Sequence, residues 1–387
     1  IIGEKSADGV LQWRGIRGGL REIMFYGSQN FAIEVDIVAP DLNPHPSATW
    51  QKGESLSFTY RIEIITTPEN LIPHINLESL TCDHLEHPVF HSSFRSLPIN
   101  GGRGLQLISS YGYERELSYG GKLRYMPTLW LAAESDFHEK ILEIIDNHFV
   151  ARHLSQMALY YLSGMRFIDL NTDAMRQPSI PGQTMLGDRG ENLSSVMQDI
   201  CQEPERKAIL LSWLQELTPM DAKDFEFPSD FTGKILLHLI EENGHKTSAY
   251  SASDGTLRFL GILAALLSKD SSNFYFFEEP ENGIHPTRLY LLMQLLEQEV
   301  ARSQKTDSQK QVLITTHAPL LLHYLSHENW DSASVIYRLP KHPESRIKRI
   351  LDLPDARRIA EDKTLGRLHE SGWLEDTTYF LSDEEES

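Results

Sequence analysis

The sequence predicts a mixed α/β chain in which an antiparallel β lobe precedes a lobe built on a parallel sheet. Three patterns carry this expectation. From residue 31 to about 133, apolar and polar residues alternate in short runs separated by Gly, Pro and Asn. From Glu134 to Ser163 there is no Pro or Gly, and apolar residues recur near the helical period. Beyond Ser251, helical and extended patterns alternate, as in strands joined by crossover helices.

The elements follow in chain order. Phe31 to Val38 and Leu56 to Ile65 alternate with period two and read as half-buried antiparallel strands. Phe137, Ile141, Ile144, Leu154, Met157 and Tyr161 mark a long helix or a helix pair. Residues 168 to 192 hold Asn171, Pro178, Pro181, Gly182, Gly187 and Gly190, a loop long enough to be functional or mobile. Helices are expected from about 191 to 217, a strand over Lys234 to Ile240, and further strands at 333 to 339 and 347 to 352. The expected divisions are an antiparallel lobe over 1–133, a helical and loop insertion over 134–232, a parallel-sheet lobe over 233–370 and an acidic tail over 371–387.

Composition excludes several classes. With 36 Lys+Arg against 55 Asp+Glu, the net charge of −19 rules out a basic coat, so nucleic acid would need a local patch. Arg14, Arg17 and Arg21, set among glycines, read as a solvated loop instead. The longest apolar run, Phe259 to Leu267, is nine residues, far short of the roughly 20 that a membrane helix needs. Cys82 and Cys201 form no CxxC or CxxH pattern, and a reducing cytoplasm is the simplest compartment. His84, His87 and His91 lie in a polar loop without supporting Cys or Asp spacing and read as surface residues.

Chemistry concentrates in three segments. Asn273 to Glu281 runs four apolar aromatics into Glu278, Glu279, Pro280 and Glu281. A parallel strand buried on both faces needs such a run, and ligands of open α/β sheets bind beyond the strand's carboxyl end, where Glu278 and Glu279 emerge. One carboxylate there can hold Mg²⁺ and a second can act on an attacking water. Pro280 stops the strand, and Pro286 suits the first turn of a helix with His285 at its N-cap. Ser253, Asp254, Gly255 and Thr256 precede an apolar helix whose N-terminus can meet an anion, although taken alone they read better as an ordinary N-cap. Arg258, one turn beyond Asp254, suggests a pair along the helix. Val312 to Pro319 is a third apolar run, and it delivers Thr315, Thr316 and His317 to the same sheet edge.

Ser-Asp-Gly-Thr, then Phe-Phe-Glu-Glu-Pro-Glu-Asn-Gly-Ile-His-Pro, then Thr-Thr-His-Ala-Pro, in that order, resembles the ABC-type ATPase heads of the RecF, SMC and OLD-like group, in particular the stand-alone AAA_21-type ATPases. The resemblance covers about 251 to 325, with Gly187 to Leu193 as a further matching segment. It implies a P-loop NTPase-like fold in which these are the signature, Walker B and switch-histidine motifs. Glu279 would polarise water, Glu278 would hold Mg²⁺, His317 would sense the γ-phosphate, and Ser253, Asp254, Gly255 and Thr256 would contact ATP across a homodimer with nucleotide sandwiched between heads. A separate effector protein and DNA are the implied further partners, and DNA repair or phage defence the implied settings. Glu278 stands where the family carries Asp, and no G-x-x-x-x-G-K-[ST] loop occurs. Gly120-Gly121-Lys122 is followed by Leu123, and Gly233-Lys234 fails the same test. The chain opens Ile1-Ile2-Gly3 without Met, so it is expected to begin just after the family's phosphate loop. The rival expectations are a non-hydrolysing regulatory or scaffold subunit and a nuclease metal site made of Glu278, Glu279, Glu281 and His285.

Overall fold

A computed structural model of the chain describes residues 28, 30–46, 48–67, 70–86, 88–96, 103–109, 114–119, 149–217, 222–270, 272–304, 309–318, 320–338, 344–353 and 356. Two compact units divide it, Ile1–Gly164 and Met165–Ser387.

The first unit is a six-stranded antiparallel sheet in sequential order, β1 (Asn30–Pro40), β2 (Ser55–Thr67), β3 (Asn70–Cys82), β4 (Phe90–Ser96), β5 (Arg103–Ser109) and β6 (Glu114–Tyr119). Strand β2 shows why the alternation forms a sheet: Leu56, Phe58, Tyr60, Ile62 and Ile64 are all buried, while Ser57, Thr59, Arg61 and Glu63 between them are not. Tyr60 donates its hydroxyl to the buried Glu78 at 2.9 Å. Helix α1 (Phe149–Ser163) follows; residues 134–148, the first half of the expected helix, lie outside the described residues, as do Arg14, Arg17 and Arg21.

The second unit opens with β7 (Met165–Ile168), α2 (Thr172–Met175), α3 (Leu193–Cys201) and α4 (Pro204–Leu217). A small antiparallel sheet of β8 (Ala222–Glu226), β9 (His238–Glu241) and β10 (Lys246–Ser248) comes next. The strand expected over Lys234 to Ile240 is regular only from His238, and Ile235 makes isolated bridges to Ser179 and Ser229. Then come α5 (Asp254–Leu267), β11 (Phe274–Glu278), a 3-10 turn (Pro286–Arg288), α6 (Leu289–Ser303), β12 (Gln311–Thr315) and α7 (Leu320–Tyr324). Finally β13 (Ser334–Arg338) and β14 (Ser345–Arg349) form an antiparallel pair of their own, so the parallel alternation stops at β12.

The parallel sheet runs β12-β11-β7. Its third strand comes from the stretch read as an insertion. Helix α5 lies in the core: apart from Arg258, every residue from Thr256 to Leu267 is buried, as expected of a helix apolar on all sides. Tyr275 and Phe277 stack at 5.8 Å on the buried face of β11. On the opposite face Phe276 is in register between Phe167 and Leu313, which are 52% and 51% exposed. The expectation of a strand buried on both faces therefore holds for one face only among the described residues. No described helix is long and apolar enough to cross a membrane.

Candidate functional site

Strands β11 and β12 end level, with Glu278 paired to Thr315, and the ladder continues one step as Glu279 N donates to Thr315 O at 3.0 Å. The two carboxylates then part. The Glu278 side chain is exposed and has no hydrogen-bond or ion-pair partner among the described residues. Glu279 has φ +43°, the only positive φ outside glycine among the described residues. A β-unbranched but bulky residue held there stores about 1–3 kcal/mol of strain, and such strain concentrates at functional sites. The turn that imposes it is closed by Asn282 N to Glu279 O at 3.1 Å and Ile284 N to Glu281 O at 2.9 Å, with Gly283 at φ +77°.

The Glu279 side chain is held at both oxygens. Asn282 Nδ2 donates to Oε2 at 2.6 Å, and His317 Nε2 lies 3.3 Å from Oε1 with its imidazole 89% exposed. The sheet edge thus brings Glu278, Glu279 and His317 together at the carboxyl end of parallel strands, where α/β sheets take ligands. Asn282 was not anticipated, because its role depends on the turn and not on residue type. Glu281, in the same turn, accepts Thr316 Oγ1 at 2.6 Å and the His317 amide at 3.2 Å through its Oε1.

At the start of α5, Ser253 caps the helix. Its Oγ accepts Thr256 N at 3.1 Å and lies 2.8 Å from Thr256 Oγ1, whose side chain is buried. Asp254, for which the sequence offers Arg258, is taken by Arg176 at 2.7 Å, and Arg176 also donates to Ala252 O at 3.0 Å. The Arg176 hydrogen bond holds the Asp254 carboxyl below the ordinary carboxylate value against a weaker opposing effect of burial. Gly255 answers a packing demand: a Cβ there would strike the carbonyl oxygen of Gly283. That contact sets the Ser253–Thr256 segment beside the turn following Glu279. His285 caps the 3-10 turn, its Nδ1 taking Thr287 N at 3.4 Å.

The loop from 168 to 192 is tied down. Asn192 accepts Gly187 N at 2.7 Å and donates to Met185 O at 2.9 Å, while Arg166 of β7 bonds Leu186 O at 2.6 Å and Asp188 at 2.7 Å. Elsewhere, Cys82, Asp83 and His84 bring potential metal-ligating atoms within 4.8 Å of one another, a grouping the sequence reading passed over. Both nitrogens of His84 already meet carboxylates, Asp83 at 2.6 Å and Glu54 at 3.1 Å, and burial pushes the Cys82 thiol up to about 11. The three residues act as a structural tie.

A family model described as "AAA domain, putative AbiEii toxin, Type IV TA system" matches residues 122–323. No curated protein matches the chain. Among solved structures, the chain is similar to one described as "Structural biochemistry of ATP-driven dimerization and DNA stimulated activation of SMC ATPases", at 14% identity over 44% of this chain and 96% of that one, TM-score 0.30. It is similar to the SMC head domain from Thermotoga maritima at 9% identity over 76% of this chain and 74% of that one, TM-score 0.27. The Smc head domain from Pyrococcus furiosus, bound to the C-terminal domain of ScpA, gives 10% identity over 81% of each chain and TM-score 0.28.

Proposed function

The chain belongs to this AAA domain family, and on that premise we propose that it is the ATP-binding and ATP-hydrolysing head of a nucleotide-driven dimer switch. The observation that carries the proposal is the strained Glu279, held at φ +43° at the end of a parallel strand with His317 3.3 Å from its carboxylate. A carboxylate so placed can orient and polarise a water, and an exposed imidazole beside it can register the γ-phosphate.

The residues present fit Mg²⁺. Glu278 offers a free, exposed carboxylate at the strand end, and Mg²⁺ commonly takes one or two carboxylates and keeps several waters. When bound, the ion would neutralise phosphate charge. Ser253, Asp254, Gly255 and Thr256 face the nucleotide of a second copy in this reading, through the N-terminus of α5. A separate effector, and DNA, complete the proposal, which places the switch in DNA repair or phage defence. A second reading, a regulatory or scaffold subunit that does not hydrolyse ATP, draws on Glu278 in place of Asp and on the absence of a phosphate loop from these 387 residues.

Hydrolysis calls for such a loop, so turnover is expected of a chain in which one is joined to these residues, and weak ATP binding of these residues alone. In the loop-bearing chain, Glu279→Gln is expected to keep ATP affinity and lose turnover, because the amide preserves shape but not basicity. Isothermal titration and phosphate release measure the two quantities. Undiminished hydrolysis by Glu279→Gln removes the role given to Glu279. A wild-type chain that binds ATP and never releases phosphate establishes the scaffold reading.

A further inference from the structure

We propose that Glu281 is a positioning residue that locks the end of β12 to the turn after β11 and so keeps His317 opposite Glu279. The inference rests on the nucleotide-site reading above. Glu281 is 8% exposed. One of its oxygens does all its visible bonding: Oε1 accepts Thr316 Oγ1 at 2.6 Å and the His317 amide at 3.2 Å. The Thr316 hydroxyl in turn accepts the Ala318 amide at 2.9 Å, and of its two acceptors Glu281 at 2.6 Å is far nearer than the Ala318 carbonyl at 3.5 Å. The backbone of residues 316 to 318 is thereby pinned to a residue two positions beyond Glu279.

The His317 imidazole needs this anchor. It is 89% exposed, and Glu279 is its only side-chain partner among the described residues. An exposed ring is placed by its backbone, and that backbone is held by Glu281. The other carboxylate oxygen sharpens the point. Glu281 Oε2 is buried and finds no hydrogen-bond partner among the described residues. An unpaired buried polar atom costs stability, and a tie needed only for stability would be made without it. The short bond to Thr316, 2.6 Å, suits a strand end that must keep its place while a ligand changes around it.

The test uses Glu281→Ala, Glu281→Gln, Thr316→Val and Thr316→Ser in the chain carrying a phosphate loop, with two readouts. ATP turnover should lose about 100-fold in kcat with Glu281→Ala, as misplacement of a site by an ångström can do, with KM within about twofold. Glu281→Gln should recover most of the loss, since its amide oxygen can take the place of Oε1. The second readout needs no nucleotide: the His317 amide, bonded in the wild type, should exchange its hydrogen about tenfold faster in Glu281→Ala and at the wild-type rate in Glu281→Gln. Thr316→Val, which removes only the hydroxyl, should follow Glu281→Ala in kcat, and Thr316→Ser should follow the wild type. If Glu281→Ala folds poorly, the Thr316 pair decides alone. A kcat loss with unchanged His317 exchange overturns the proposal, as does faster exchange with full kcat or a change confined to KM. If the wild type does not hydrolyse ATP, the functional reading fails and the exchange rates alone decide whether Glu281 holds the β12 end.

Discussion

Asp41 places one carboxylate oxygen between two donors, Trp50 Nε1 and His153 Nε2, each at 2.8 Å, and is only 1% exposed. Burial pushes this carboxyl up, and the bonds from Trp50, His153 and the Asn43 amide more than offset it, so the group sits below its ordinary value of 3.8. A depressed carboxylate contributes stability above the unfolded value and loses it as pH falls through the folded one. Urea midpoints of the wild type should therefore fall relative to Asp41→Asn as pH is lowered from about 6 to about 2, with the difference opening below about pH 4. Parallel curves would show that the carboxylate charge at Asp41 adds nothing. This pair was illegible in the sequence because it joins residues 112 apart, and nothing about His153 on a helix announces its partner. The same holds for Arg176 and Asp254, 78 apart, where spacing along the helix points to Arg258. Glu278, Glu279 and His317 were legible for the opposite reason: each ends an apolar run, and a buried parallel strand delivers its last residues to one edge regardless of detail.

Element by element, the strands that could be read were those whose composition alone decides them. Phe274 to Glu278 and Gln311 to Thr315 are apolar enough to read as strands from composition alone, the first central and the second at the end of the parallel sheet. Strand β7 has only four residues, one of them Arg166, and sits directly after a helix, so local pattern does not separate it from a loop. Its pairing with β11 is a tertiary fact. Helix α5 was legible, but the reason for Gly255 in its first turn was not. The family resemblance sets Gly255 against ATP, whereas the close approach in the fold is by the carbonyl of Gly283. Gly255→Ala should accordingly cost about 1–3 kcal/mol, the range for overpacking, whether or not nucleotide is present. It should also lower turnover, because the turn that must yield holds Glu279 at its strained φ. Thermal denaturation without nucleotide measures the first effect. A full-stability Gly255→Ala with poor ATP response would instead return the glycine to the phosphate.

At the scale of the whole molecule, the net charge of −19 gives a polyanionic nucleotide little long-range attraction, so the proposed binding would depend on local donors such as the α5 N-terminus. In the proposed switch that terminus serves a second copy, and this can be tested without seeing the dimer. Ser253→Arg puts a bulky cation where a hydroxyl caps the helix, so it should block closure while leaving Glu278 and Glu279 in place. Glu279→Gln should close and not turn over. Neither variant alone should have activity. Mixed, they should form a dimer with two sites, and action across the interface would put both lesions in one site and neither in the other. If α5 acts across the interface, the lesion-free site pairs an intact Glu279 with an intact Ser253 of the other chain, and phosphate release returns. If it acts within its own chain, every site keeps one lesion and the mixture stays silent. The contact of Gly255 with the Gly283 turn makes the second outcome a serious competitor, because it lets a lesion at Ser253 disturb Glu279 in the same chain. Chemical crosslinking of differently tagged variants shows whether mixed dimers form. Recovered activity in their presence establishes action across the interface, and silence in their presence assigns the signature segment to its own subunit's site.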